Sequence, residues 1–295
     1  MQLTNKYGLP QPVVAALTRS EYSRGESNRS ITQLIDAPRV RILRQEHQDE
    51  LTEDVSEKLW AVLGTGVHKM FENTADDSHT TEERLFTNIE GWTISGAIDL
   101  QKDDSDGVVI SDYKTTSVWS VIFGKIEWEY QLNSYAALVR KAKGKKVKAL
   151  KVIAMMRDWK ASEAEFKQDY PKAPILEIDI PMWTEEEQDA YLEGRVKLHQ
   201  HAEFERLTGS ELPECSDAER WAKEPTWAVI KKGNKKATKV FDKPEEAHDF
   251  AKQQGDAFEV IFRAGVSTRC AGNWCRVNAW CSQYQKSIEN SQNNY

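Results

Sequence analysis

Apolar positions recur every three or four residues from Ser30 through Leu34, Val40 and Leu43, and again from about Val55 to Asn73, the spacing of amphipathic helices. The period then drops to two. Arg84 to Ile89 and Trp92 to Leu100 read as the arms of a hairpin around Glu90-Gly91, and Val108 to Thr115 as a third strand entered by the apolar run Val108-Val109-Ile110. A long helical pattern from about Gly124 to Lys141 leads to an apolar strand, Ala149 to Met156. A further strand, Ile175 to Met182, puts Leu176, Ile178 and Ile180 on one face. Thr184 with Glu187 three residues on is a capping box, and the helix it opens runs through Tyr191 and Val196 to about Leu207. The order helix, three strands, helix, strand predicts an α/β fold with a mixed central sheet flanked by helices.

Residues 1–27 are polar, with Pro10, Pro12 and a Ser/Arg/Glu run, and read as a loosely ordered N-terminal segment. The core is expected over 28–208 and an extension over 209–288, with 289–295 a polar tail and no internal repeats. Within the extension, Trp227 to Ile230 and Thr238 to Phe241 flank a basic Gly233-Asn234 turn as a hairpin, and Pro244 to Gln254 reads as a short helix.

The strands carry candidate chemistry. Ser95-Gly96-Ala97-Ile98-Asp99-Leu100 delivers an aspartate at the end of one strand, and Ser111-Asp112-Tyr113-Lys114 an Asp-x-Lys in the next. Strand alternation projects Asp112 and Lys114 the same way, beside whatever Asp99 reaches. Carboxylates crowded together repel unless a hard cation sits between them, and Mg2+ or Mn2+ with oxygen ligands is the natural guest. An adjacent lysine steadies a pentavalent phosphate or helps deprotonate water, which is the chemistry of metal-assisted phosphodiester hydrolysis. His68 and Glu72, four apart, share a helical face from which the histidine can complete a metal shell. Gln131 and Tyr135, also four apart, can bond a phosphate or orient the lysine. An isolated Asp-x-Lys reads as a solvated pair; the combination with His68 and Asp99 makes it a catalytic candidate.

The ordered set Gly64-x-x-x-His68, Gly96-x-x-Asp99, Asp112-Tyr113-Lys114-Thr115 and Gln131-x-x-x-Tyr135 resembles the PD-(D/E)XK nuclease superfamily, specifically its RecB-like branch of recombination, CRISPR-associated and phage exonucleases. The resemblance covers about residues 28–205 and is concentrated in these motifs. It implies the restriction-endonuclease-like core, here with a C-terminal hairpin and cysteine-cluster extension. It also implies that His68, Asp99, Asp112 and the backbone carbonyl of Tyr113 ligate Mg2+ or Mn2+, that Lys114 is the catalytic lysine, and that Gln131 and Tyr135 line the cleft. Ile98 stands where the family's signature proline precedes the first aspartate. The activity implied is a divalent-metal-dependent deoxyribonuclease, an exonuclease first, with a structure-specific endonuclease or a catalytically silent DNA-binding accessory protein as alternatives.

All four cysteines follow these motifs: Cys215, then Cys270, Cys275 and Cys281. In a chain without secretory features such spacing favours a soft-metal site over disulfides, either a four-iron four-sulfur cluster or a structural zinc. RecB-like nucleases often carry an iron-sulfur cluster with three cysteines after the core, which the triplet resembles, and this favours iron. Their fourth ligand lies before the Gly-x-x-x-His motif, where this sequence has no cysteine. Cys215 is the candidate that remains.

Composition adds constraints. No apolar run reaches membrane-spanning length and the first residues lack a signal-peptide profile, so the chain is expected in the cytoplasm, and by resemblance in that of a bacterium or phage-infected cell. A net charge of -7 argues against a sequence-independent histone-like binder and requires that positive charge for DNA be clustered. Two clusters qualify, one from Arg140 to Lys148 and one formed by Lys231, Lys232, Lys235, Lys236 and Lys239 at the hairpin tip. DNA is the expected partner, with a single-strand annealing or recombination protein beside it. There is no phosphate-loop helicase motif, so any motor is a separate chain.

Overall fold

A computed structural model describes residues 1–19, 25–72 and 76–292 of the chain, and side chains as far as 289. It divides into two units, residues 1–36 with 49–204, and residues 37–48 with 205–295. Of the expected core of 28–208, residues 37–48 and 205–208 fall in the second unit, and residues 1–27 in the first.

The segment 1–27, expected to be loosely ordered, holds β1 (Gln2–Thr4) and α1 (Gln11–Thr18), while residues 20–24 lie outside those described. β2 (Arg29–Ser30) leads into α2 (Ile31–Leu34), where Ser30 and Gln33 form a capping box. The single helix expected from Ser30 breaks because Pro38 disfavours helical geometry in the residue before it, and Pro38 starts a new helix instead, α3 (Pro38–Glu46) of the second unit. β3 (Thr52–Asp54) pairs in parallel with β1. Asp54 then caps a 3-10 turn, Val55–Lys58, by accepting the Ser56 N–H at 3.1 Å, and α4 (Leu59–Glu72) follows. Asn73, the expected end of this helix, is outside the described residues.

The predicted hairpin is longer than its sequence signal: β4 (His79–Ile89) and β5 (Trp92–Asp104) turn at Glu90 and Gly91, both at positive φ (48° and 77°), the geometry of a tight two-residue turn. β6 (Gly107–Thr116) pairs antiparallel with the end of β5. The single helix expected from Gly124 is two, α5 (Val118–Phe123) and α6 (Ile126–Lys143), parted at Gly124 with φ 70°. They form the crossover to β7 (Val147–Met156), which runs parallel to β6. After α7 (Ala161–Phe166), β8 (Ile175–Ile180) pairs antiparallel with β7. α8 (Glu185–Thr208) opens on the expected capping box, the Glu187 N–H bonding Thr184 Oγ1 at 3.2 Å and Glu187 Oε2 accepting the Thr184 N–H at 2.8 Å.

The sheet order is β2-β5-β6-β7-β8, with β4 on β5, so the central sheet is mixed and flanked by helices as expected. α6 is buried without interruption from Gln131 to Val139 and packs with Ile94, Ile98, Ile110 and Leu150 of the sheet. Each such side chain contributes about 1.5–3 kcal/mol on burial, so the helix bearing Gln131 and Tyr135 is anchored against the strands bearing Asp99 and Asp112.

The second unit continues with α9 (Asp217–Arg220), β9 (Ala222–Lys223), β10 (Thr226–Lys231), β11 (Lys239–Phe241), α10 (Pro244–Gln254), β12 (Phe258–Arg263), β13 (Val266–Ser267), α11 (Thr268–Ala271) and α12 (Ser282–Gln292). The expected hairpin is β10–β11, to which β12 adds a third antiparallel strand, and α10 covers this sheet through Val229, Ala247 and Ala251. The tail expected from 289 is helical to Gln292; residues 293–295 lie outside the description. No helix among the described residues is long and apolar enough to cross a membrane.

Candidate functional site

The site forms where two strand ladders give way. Pairing of β4 with β5 is regular except at Glu82 and Asp99, which stand opposite each other, and Glu82 takes φ 51°. Pairing of β5 with β6 stops at Leu100 and Ser111, one step before Asp99 and Asp112. The backbone N–H of Tyr113 donates to Asp99 Oδ2 at 2.8 Å. Three carboxylates from three adjacent strands therefore gather at one level of the sheet. Glu82 was not among the sequence candidates. Its signal was the hairpin register: a turn at Glu90-Gly91, carried back residue by residue, sets Glu82 against Asp99.

His68 reaches the row from α4, its Nδ1 3.3 Å from Glu82 Oε1 and 3.4 Å from Asp99 Oδ1. One ligand atom each from His68, Glu82 and Asp99 lies within 4.8 Å of the others, a nitrogen and two oxygens suited to a divalent cation. Asp99 and, after it, Glu82 hold the imidazole proton and raise the His68 pKa to about 10. The Tyr113 ring secures this helix, stacking on Phe71 at 4.8 Å and meeting His68 edge-on at 6.0 Å. Glu72 faces the same cleft, which opens about 730 Å³ over His68 and Glu82 and is lined by Arg19, Lys58, Lys69 and Arg84.

Asp112 and Lys114 do share a side, with Lys114 Nζ 2.5 Å from Asp112 Oδ2. Gln131 joins them: its Oε1 accepts from Lys114 Nζ at 3.0 Å, and its Nε2 donates to Asp112 Oδ1 and to the Tyr135 hydroxyl, each at 2.9 Å. Asp112 Oδ2 is buried and, despite the ion pair, has no well-directed hydrogen bond. The Lys114 ammonium takes this oxygen, and Asp112 is not among the residues whose ligand atoms lie within 4.8 Å of one another: the group that fits a cation here is His68, Glu82 and Asp99, with Asp112 beside it. Burial raises the Asp112 pKa to about 6, the Lys114 ammonium opposing and the Asp99 charge adding to it. Gln131 and Tyr135 are 8% and 4% exposed, which sets them behind Asp112 and Lys114, as supports, with little surface for a phosphate. Burial holds the Tyr135 hydroxyl well above its usual pKa, so it stays protonated.

In the second unit, Cys215, Cys270, Cys275 and Cys281 line one small cavity; Cys215 is half-buried and the others buried. Gln283 clamps the Cys215 backbone, its Oε1 accepting the N–H and its Nε2 donating to the carbonyl, both at 2.9 Å. Buried Arg39 donates to the carbonyls of Leu212 and Pro213 and sits 3.9 Å from Cys281 Sγ. Burial pushes the Cys215 thiol up to about 12 and raises those of Cys270 and Cys275. The four thiols share this cavity with a guanidinium, but among the described residues no three of their Sγ atoms lie within 4.8 Å of one another.

The two basic clusters differ. Arg140 and Lys141 pair with Asp189, Lys143 with Glu83, Lys145 with Asp103 and Lys148 with Asp104, all within 3.0 Å, so this cluster is largely neutralised within the fold. Lys231, Lys232, Lys235 and Lys236 are exposed and form no ion pair among the described residues. Lys239 lies 4.7 Å over the Phe241 ring.

A family model described as the PD-(D/E)XK nuclease superfamily matches residues 14–282. The chain is similar to the crystal structure of SSO0001 at 17% identity and a TM-score of 0.40, over 63% of this chain and 82% of that one, a likeness too distant to argue from. No curated protein matches.

Proposed function

The chain belongs to the PD-(D/E)XK nuclease superfamily, whose members are metal-dependent nucleases, and we propose that it is a Mg2+- or Mn2+-dependent deoxyribonuclease of the RecB-like kind, acting as an exonuclease. The observation that carries the reading is the Gln131 bridge, which fixes Asp112 and Lys114 together at the point where β5 and β6 part and Asp99 enters.

His68, Asp99 and Asp112, with the Tyr113 carbonyl and Glu82 added, are the groups that would hold the metal. A bound ion would supply Lewis acidity and lower the pKa of water at the site. Lys114 offsets charge building on the phosphate, at an angle set by Gln131. The Lys114 ammonium opposes the cost of burying the Asp112 carboxylate, Gln131 bridges the two, and Tyr135 holds the Gln131 amide in the orientation that serves both partners. Arg19, Lys58, Lys69 and Arg84 line the cleft, but Lys58 pairs with Glu53 at 3.0 Å and Lys69 with Glu72 at 3.4 Å, so a phosphate backbone on its way to His68 would have to draw these two lysines from their carboxylates.

For the four cysteines we propose a four-iron four-sulfur cluster, with zinc as the alternative. The Gln283 clamp supports Cys215 as the fourth ligand, because it ties the Cys215 backbone to a position two residues beyond Cys281.

Incubation with end-labelled linear and closed circular DNA, single and double stranded, with Mg2+ or Mn2+, tests the activity. Loss of linear substrates alone is expected; cutting of circles would replace the exonuclease reading with an endonuclease, and no cutting would overturn the activity.

A further inference from the structure

An aromatic patch next to this site is left uncovered by the fold. Trp60 is 56% exposed, Trp119 57% and Phe123 79%, although indole and phenyl rings are the side chains with most to gain from burial. Trp119 and Phe123, four apart on α5, stack on each other at 5.8 Å with ring planes within 13°. The Arg157 guanidinium lies 4.2 Å above the Trp60 ring.

Both groups flank the end of the strand that carries Lys114. The Arg157 N–H donates to the Thr116 carbonyl at 2.9 Å, Ser117 caps α5, and the Val118 N–H is held by Asp158 Oδ1 at 2.8 Å. Thr116 is two residues beyond Lys114, about 7 Å along β6. Trp60 precedes His68 by eight residues of α4, about 12 Å along the helix axis. Trp60 thus lies about two nucleotide steps along α4 from His68, and α5, which carries Trp119 and Phe123, starts just past the end of the strand that carries Lys114. The Arg157 guanidinium donates through Nε to the same Thr116 carbonyl at 3.4 Å and forms no ion pair among the described residues, which leaves its terminal amino groups for phosphate.

We propose that Trp60, Trp119 and Phe123 are a stacking platform for unpaired nucleobases, so that the enzyme receives its substrate as a single strand or a frayed end. The inference rests on the nuclease reading and adds a substrate class to it. Flat rings with a guanidinium laid on one of them match an occupant that is itself flat rings strung on phosphates. In a duplex the base faces are covered by their neighbours, and these rings would have nothing to stack on.

The test compares binding of a fluorescein-labelled oligothymidylate with that of an abasic strand of equal length, in EDTA so that nothing is cut. The wild type should prefer the strand with bases by about tenfold or more. Trp119→Ala and Phe123→Ala should weaken binding of that strand several-fold while leaving the abasic strand unchanged, and Trp119→Phe should keep the preference. Equal affinity of the wild type for the two strands, or equal weakening of both in the alanine variants, overturns the platform and leaves the nuclease reading standing. Absence of binding to either strand, together with absence of cleavage in Mg2+, overturns the nuclease reading itself. Unchanged circular dichroism of the variants establishes that folding is not the cause.

Discussion

A Cβ added to Gly96 would lie 2.7 Å from Cε1 of Tyr135, closer than packed carbons approach. The glycine of the Gly96-x-x-Asp99 motif thus has a physical reason: it lets the ring that supports Gln131 lie against β5, three residues before Asp99. Gly64, in the Gly64-x-x-x-His68 motif, differs, since a Cβ there meets nothing within 4 Å.

These glycines should separate in a thermal-melt and turnover comparison. Gly96→Ala should cost about 1–3 kcal/mol by overpacking and lower kcat by displacing Tyr135 and Gln131. Gly64→Ala should stabilise by about 0.5–1 kcal/mol, as alanine does within a helix. Equal melting temperatures for Gly96→Ala and the wild type would contradict the packing.

Metal binding should be linked to protons in two ways. Without metal, His68 is protonated up to a pH of about 10 by its carboxylate neighbours, so a metal that takes this histidine must expel the proton. About one proton should be released per metal at pH 8, and none in His68→Gln. The raised Asp112 pKa works in the opposite pH range. Its ionised form costs the metal-free fold stability above pH about 6, and that cost fades as pH falls from there toward the ordinary carboxylate value. Metal-free protein therefore gains from acidification through this group while metal affinity falls, and the rise in Tm caused by Mg2+ should shrink below pH about 6. Glu82→Gln should weaken Mg2+ binding by about 10–100-fold if this glutamate is a ligand or its close support; calorimetry decides.

Much of this site is legible in the sequence because its residues obey strand or helix periods. Asp112 and Lys114 alternate, and Gln131 and Tyr135 are one helical turn apart. Glu82 is not legible that way, since a residue at φ 51° breaks the alternation that would announce it. The N-terminal strand is hidden for another reason: Gln2–Thr4 has three residues and is held by Thr52–Asp54, some fifty positions away. The basic run from Arg140 to Lys148 looked like a DNA surface because its acidic partners, Asp189, Glu83, Asp103 and Asp104, lie elsewhere in the sequence and only tertiary structure unites them.

Pairing decides which lysines matter for DNA. Replacing Lys232, Lys235 and Lys236 by Gln should weaken binding and lower the slope of log affinity against log salt by about one unit per lost phosphate contact. The same change at Lys145 and Lys148 should leave the slope near that of the wild type, because their charge is spent on Asp103 and Asp104. Equal slopes for all would assign the hairpin tip to another role.

Anaerobically purified protein should be brown and carry about four irons per chain, and Cys215→Ser should lose the colour. Zinc by elemental analysis would keep the four ligands and change the cofactor. Neither metal would remove the cofactor from the account.

Single-turnover cleavage of end-labelled linear DNA in Mg2+, with wild type, Asp112→Asn and Lys114→Ala at protein concentrations that saturate binding, is the most direct test of the central claim. The wild type should release nucleotides from the labelled end. Both variants should bind the DNA and fall by a factor on the order of a thousand or more in rate, the scale of losing an electrostatic group at the reacting phosphate. Near-normal cleavage by either variant would place the chemistry elsewhere, and DNA left intact by the wild type in both Mg2+ and Mn2+ would contradict the nuclease assignment.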